Sequence, residues 1–274
     1  SWINVKTLAR ALKLYDYVFL QPFPPGLVRG GSSEPVLAEL NGVVTYPSLI
    51  FTGYHPDLVF VNDQKKPGQP IWGPIGPYHS GLAYFAYRAG LPIDAALKLF
   101  NGEVFDAVGY FDVWDDAAKA LLAQGKQFEL DFGEDLLRWT RRGCFMYSIN
   151  HPKPHVFFDL ARQLMQKAGV PTRSVDFENY TVDDLVRGVV YPVYPAIAEH
   201  YGINGSYVFK GAHFSLTLDV GHFWDLRQFV TECYRAYAKY EPNQLSNERV
   251  QGWLDDAEVA NFLRSVAGAG PRLN

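Results

Sequence analysis

Proline and glycine are spread unevenly along this sequence, and their spacing constrains the fold more than any other feature. In the first eighty or so residues short apolar runs are cut repeatedly. Residues 15–20 stop at Gln21-Pro22-Phe23-Pro24-Pro25-Gly26, and 43–46 and 49–51 flank Pro47. Runs that short, bounded by breakers, are strand-length rather than helix-length. Ahead of them Val5, Leu8, Leu12 and Tyr15 recur at helical spacing, and 35–40 predicts a short helix. A strand is expected at 58–61, then a long loop at 62–77, where Gly, Pro, Gln and Lys dominate. Helical signals prevail afterwards. Asp112 and Thr181 are candidate N-caps, each with an Asp three residues on. Pro154 is placed to open a helix ending near Gly169, with Pro171 beyond it. A late strand at 207–209 and closing helices at 224–240 and 246–266 complete the pattern. Few strands early and many helices late predict an α/β fold with a large helical portion. It is expected as one domain over 1–274, with an α/β core at 1–170 and a mainly helical part at 171–274.

At 274 residues such a chain buries roughly three quarters of its unfolded surface. Its 17 Tyr, 19 Phe and 6 Trp exclude disorder over most of the length. A net charge of −4 carries none of the basic surplus of a nucleic-acid binder. No apolar stretch is long enough for a membrane span, and no signal peptide is evident. The chain opens on Ser1 rather than Met and runs almost directly into a helical pattern, which predicts that sequence upstream has been removed or left out. Cys144 and Cys233 stand far apart, forming neither a disulfide framework nor a Cys-x-x-Cys site. They are expected as buried free thiols in a reducing cytoplasm.

Three segments join histidine to residues that shape the backbone. Gly53-Tyr54-His55-Pro56-Asp57 follows an apolar run, where α/β sheets place ligands, although a plain surface turn fits equally. Trp72-Gly73-Pro74-Ile75-Gly76-Pro77-Tyr78-His79-Ser80 leads into a helix, where Ser80 either offers donors to an anion or caps the helix. The third segment runs from Arg141 to His155, and its Asn150-His151-Pro152 stands just before the proline-led helix. A His outside a helix N-terminus meets the positive end of the dipole, which favours the neutral imidazole that a general base requires. His151 is therefore the first candidate base. A metal site is not expected: His151 and His155 are four apart, but Pro152 and Pro154 bar a continuous helix between them.

In these segments the sequence resembles the WcbI-type family of bacterial polysaccharide-biosynthesis proteins. The resemblance is carried by Tyr46-Pro47-Ser48, Gly53-Tyr54-His55-Pro56-Asp57, Tyr78-His79-Ser80, Gly143 with Phe145-Met146, and Asn150-His151-Pro152. Their order runs through about the first 170 residues, and Gly205-Ser206-Tyr207-Val208-Phe209-Lys210 adds a weaker match. The resemblance implies an SGNH-like parallel-sheet core, coenzyme A as cofactor, and acyl (acetyl) transfer to a sugar or polysaccharide precursor of the capsule. In SGNH enzymes the catalytic His follows an Asp in an Asp-x-x-His block. Here Ser148 takes the Asp position, so the orienting carboxylate has to come from elsewhere, with Asp57 a candidate. His79 and Ser80 are expected to hold the oxyanion or thioester. The family's Gly-Asn-Cys-Gln motif, which precedes its first helix, is not among these residues.

Coenzyme A requires cations for its phosphates and an aromatic or apolar slot for adenine. Arg29, Lys65, Lys66, Arg141, Arg142 and Lys153 are the candidate cations, and Trp72, Tyr78 and Phe23 the candidate slot. Two other functions fit the same residues: an SGNH-type carbohydrate esterase, or a non-catalytic nucleotide- or sugar-binding protein.

Overall fold

The computed structural model describes residues 4–26, 28–173, 180–212 and 222–270. From the N-terminus the elements are α1 (Val5–Leu12), β1 (Phe19–Leu20), α2 (Glu34–Glu39), β2 (Val44–Thr45), β3 (Leu58–Val59), β4 (Asn62–Asp63), β5 (His79–Ser80), α3 (Gly81–Arg88), α4 (Ile93–Leu97), α5 (Gly102–Ala107) and α6 (Val113–Gln127). They continue as α7 (Gly133–Arg141), β6 (Met146–Ser148), β7 (His151–Pro152), α8 (Pro154–Lys167), α9 (Pro195–His200), β8 (Phe209–Lys210), β9 (Phe223–Trp224), α10 (Leu226–Tyr237), β10 (Leu245–Ser246), α11 (Glu248–Asp255) and α12 (Ala257–Val266). The chain divides into two compact units: 1–50 with 119–142 and 153–182, and 51–118 with 143–152 and 183–274.

In the first unit β1 and β2 pair in parallel, Phe19 opposite Val44 and Leu20 opposite Thr45. Parallel neighbours need a crossover, and α2 lies within it. The Asn4 side chain caps α1 by accepting the Thr7 N–H at 2.8 Å. Val5, Ala9 and Val36 form the buried centre, with Leu8, Leu12, Leu20 and Leu40 packed around them. Further along, α7 packs on α8. The two are joined by an ion-pair network in which Asp135 meets Arg138 and Arg162, and Arg162 also meets Asp159 at 3.2 Å.

The second unit is built around α3, whose Leu82, Ala83, Tyr84, Phe85 and Ala86 are all fully buried. This helix packs on α10 and α11. The unit also holds three antiparallel pairs: β3 with β5, β4 with β10, and β8 with β9. A hairpin of β6 and β7 carries a bulge between Met146 and Ser148.

The mixed α/β class holds. The parallel core expected from the SGNH likeness is reduced, among the described residues, to the single β1–β2 pair. Residues 62–77 are not a featureless loop, because β4 finds its partner in β10, far along the sequence. Residues 246–266 split at Asp256, whose carboxylate takes the N–H groups of Glu258 and Val259 and starts a new helix. Thr181 is not a cap; Asp183 takes that role for a 3-10 turn over Asp184–Arg187. Asp112 ends a second such turn, Tyr110–Asp112, which leads into α6.

Candidate functional site

The first two motif segments and residues 143–152 of the third fall in the second unit, and they build two polar clusters of different character. The first centres on Asp57, which is 1% exposed. Oδ1 accepts the Leu82 N–H at 2.9 Å and the Tyr110 hydroxyl at 2.6 Å. Oδ2 accepts the hydroxyls of Tyr194 at 2.7 Å and Tyr191 at 3.1 Å. Burial raises the Asp57 pKa and the hydroxyl donors pull it back. Burial also pushes the three tyrosines well above their ordinary range. Every acceptor position faces a donor, so the carboxylate ties β3 to the start of α3 and to the tyrosines.

His79 and Ser80 belong to the same closed interior. The carbonyl of Ile71 accepts from His79 Nε2 at 3.1 Å, which leaves Nδ1 to accept the Tyr237 hydroxyl at 3.2 Å. Burial lowers the His79 pKa to about 4, so the ring is neutral. Ser80 Oγ accepts the Ala83 N–H at 3.0 Å and caps α3. All three side chains are enclosed: Asp57 and Ser80 hold the start of α3, and His79 joins Ile71 to Tyr237.

The second cluster lies on the β6–β7 hairpin. His151 sits opposite Ser148 across it, with its ring edge-on to Tyr78 at 5.9 Å and 90°. Nδ1 is enclosed and has no hydrogen-bond partner among the described residues. The His151 pKa is lowered, by burial rather than by a neighbouring charge. Beside it Asn150 Oδ1 accepts the Tyr78 hydroxyl at 2.6 Å and the Ser148 hydroxyl at 3.2 Å. Two hydroxyls fixing the amide oxygen leave the amide N–H groups as donors on an exposed residue. Asn150 was not singled out from sequence, although it stands beside His151; its signal is the meeting of two distant motifs on one amide.

The expected cofactor residues fall into two sets. Lys66 and Trp72 line one cleft of about 700 Å3 in the second unit, an ammonium beside an aromatic face. This is the combination a phosphorylated adenosine requires. Lys65 lies next to it, its backbone N–H donating to Asp63 at 2.9 Å. Tyr78 is buried against His151 and Phe60 and does not line this cleft. Arg29, Arg141, Arg142, Lys153 and Phe23 belong to the first unit. There Arg29 gives its carbonyl to Val5 N at 2.9 Å, the two other arginines end α7, and Lys153 precedes α8. Cys233 is buried, whereas Cys144 is half-buried, its thiol donating to the Met146 carbonyl at 3.1 Å.

The fold has a solved counterpart. The chain is similar to the structure of WcbI, a polysaccharide biosynthesis enzyme solved as the native protein without a disulfide bond between coenzyme A and a cysteine. The TM-score is 0.59 at 17% identity over 96% of this chain and 84% of that one. At that identity the likeness is one of fold, and it sets the class: a mixed α/β protein built like WcbI. The family described as "Polysaccharide biosynthesis enzyme WcbI" matches residues 3–173, and the chain belongs to that family of polysaccharide biosynthesis enzymes. No protein of curated function is significantly similar to it in sequence. Among the described residues no helix is long and apolar enough to cross a membrane.

Proposed function

We propose that this protein transfers an acyl group, acetyl in the simplest case, from coenzyme A to a sugar hydroxyl in capsular polysaccharide biosynthesis in the cytoplasm. The observation that carries the reading is His151, a half-buried imidazole edge-on to Tyr78, which burial keeps neutral at physiological pH. Coenzyme A supplies an activated thioester when bound. The protein's own contribution is then positioning and proton transfer. The His151 imidazole takes the proton of the attacking sugar hydroxyl and returns it to the departing thiolate. The Asn150 amide donates to the carbonyl oxygen as negative charge grows there, the role such amides play in oxyanion holes.

The esterase alternative needs a nucleophile beside the base. Among the described residues no serine or cysteine hydrogen-bonds His151; Ser148 donates to Asn150, and Ser80 caps α3. Direct attack by the acceptor hydroxyl needs no such nucleophile. The test is acyl transfer from acetyl-CoA to sugar acceptors by His151→Ala, with coenzyme A affinity measured by calorimetry. Transfer is expected to fall about a hundredfold or more while affinity holds. Undiminished turnover would remove His151 from the reaction.

A further inference from the structure

The cleft that holds Lys66 and Trp72 is completed by residues no motif connects to them. Lys66 comes from the turn after β4 and Trp72 from the stretch that follows, while Lys239 and Tyr240 come from the chain leaving α10, beyond the segment that carries the family match. Trp72 is 76% exposed, a large apolar ring held in water beside two ammonium groups. Neither ammonium forms a hydrogen bond or ion pair among the described residues. The one carboxylate in the wall, Asp63, is occupied: Oδ1 accepts the Gln244 side chain at 2.8 Å and the Lys65 N–H at 2.9 Å.

An exposed indole next to two cations, of which Lys66 also lies in the field of Asp63, matches a base joined to phosphate. Aromatic side chains stack on bases of any kind, and lysine meets phosphate as a point charge. A neutral sugar would leave the cations idle, and inorganic phosphate would leave the ring idle. The volume, about 700 Å3, lies within the range of small-molecule sites. Pro77 forms part of the wall, and the next residue, Tyr78, packs against His151.

We infer that this cleft binds a phosphorylated nucleotide, its base on Trp72, its phosphates between Lys66 and Lys239, and Tyr240 closing the side. Two sources carry that chemistry: the adenosine-phosphate end of coenzyme A, which rests on the acyl-transfer reading above, and a nucleotide that carries the sugar acceptor. The experiment is calorimetric titration of the full chain with adenosine 3′,5′-bisphosphate, coenzyme A and a uridine diphosphate sugar, repeated on Trp72→Ala and Lys239→Ala. Both side chains are exposed, so the variants keep the fold, as circular dichroism checks. At least one nucleotide is expected to bind the wild type and to weaken about tenfold or more in each variant, as loss of base stacking or of a phosphate contact implies. Preference for the bisphosphate assigns the donor, and preference for the uridine compound assigns the acceptor; either supports the site. Equal affinity in wild type and variants, or no nucleotide binding at all, overturns it. Coenzyme A binding that ignores both substitutions, with transfer intact, sinks the cleft and leaves the acyl-transfer reading standing. Nucleotide binding without transfer to any acceptor does the reverse.

Discussion

The Asp57 and His151 clusters are built from the same motifs, yet they spend their hydrogen bonds differently. Around Asp57 each carboxylate oxygen meets two donors, and each tyrosine hydroxyl donates. Around His151 the neighbouring polar groups are paired with one another, while the imidazole keeps an enclosed nitrogen unpaired. An enclosed polar atom without a partner costs stability. A satisfied cluster holds the fold together, and an unsatisfied one holds a capacity to react. Burial alone does not separate them; the accounting of donors and acceptors does.

The comparison is broken most severely at Asp57. Asp57→Ala takes the acceptor from the Tyr110 hydroxyl, the Leu82 N–H and at least one hydroxyl of the Tyr191–Tyr194 pair, and at about 1–3 kcal/mol for each unsatisfied group it should cost roughly 4 kcal/mol or more, read by urea denaturation. A loss near zero would mean the tyrosines find other acceptors and the hub is not structural. His79 gives the next largest effect. Its pKa is about 4 when folded against 6.5 in the unfolded chain, so between those values the unfolded state binds the extra proton. Stability is full above about pH 6.5 and falls as the pH drops toward 4, by roughly 3 kcal/mol from this group. That share of the slope should vanish in His79→Gln, and an unchanged slope would contradict the buried neutral ring. The smallest effect belongs to Ser80→Ala, which removes a helix cap worth about 1 kcal/mol together with the Ser80 hydroxyl's hydrogen bond to Asp57. Its transfer rate should equal that of the wild type, and a collapse in rate with the fold intact would return Ser80 to the reacting groups.

Much of this was legible in the sequence where local chemistry decides. Pro154 at the start of α8 and the periodicity of α1 act over a few residues, and the structure places both helices close to expectation. The first two motif segments and residues 143–152 of the third share one unit. Roles within it were not legible, because they depend on partners distant in sequence. Ser80 before a helix reads equally as donor or cap until the Ala83 N–H is seen on its Oγ. Asp57 reads as an orienting carboxylate until Tyr191 and Tyr194, more than a hundred residues on, are found donating to it. The β4 strand was hidden in a Gly- and Lys-rich stretch because β10, its partner, lies at the other end of the chain. For the same reason Lys239 and Tyr240 carried no local mark.

The most direct test of a neutral, uncommitted His151 is the pH dependence of kcat/KM for acyl transfer in the wild type and in His151→Gln. Burial lowers the pKa of the ring, so the base form persists into acid and is lost only as the pH falls through a value below the ordinary 6.5 or so of histidine. The account predicts an acid limb with its midpoint below that value in the wild type, and a slow, limb-free profile in the variant. The same limb at the same pH in both proteins, or full activity in the variant, would contradict it.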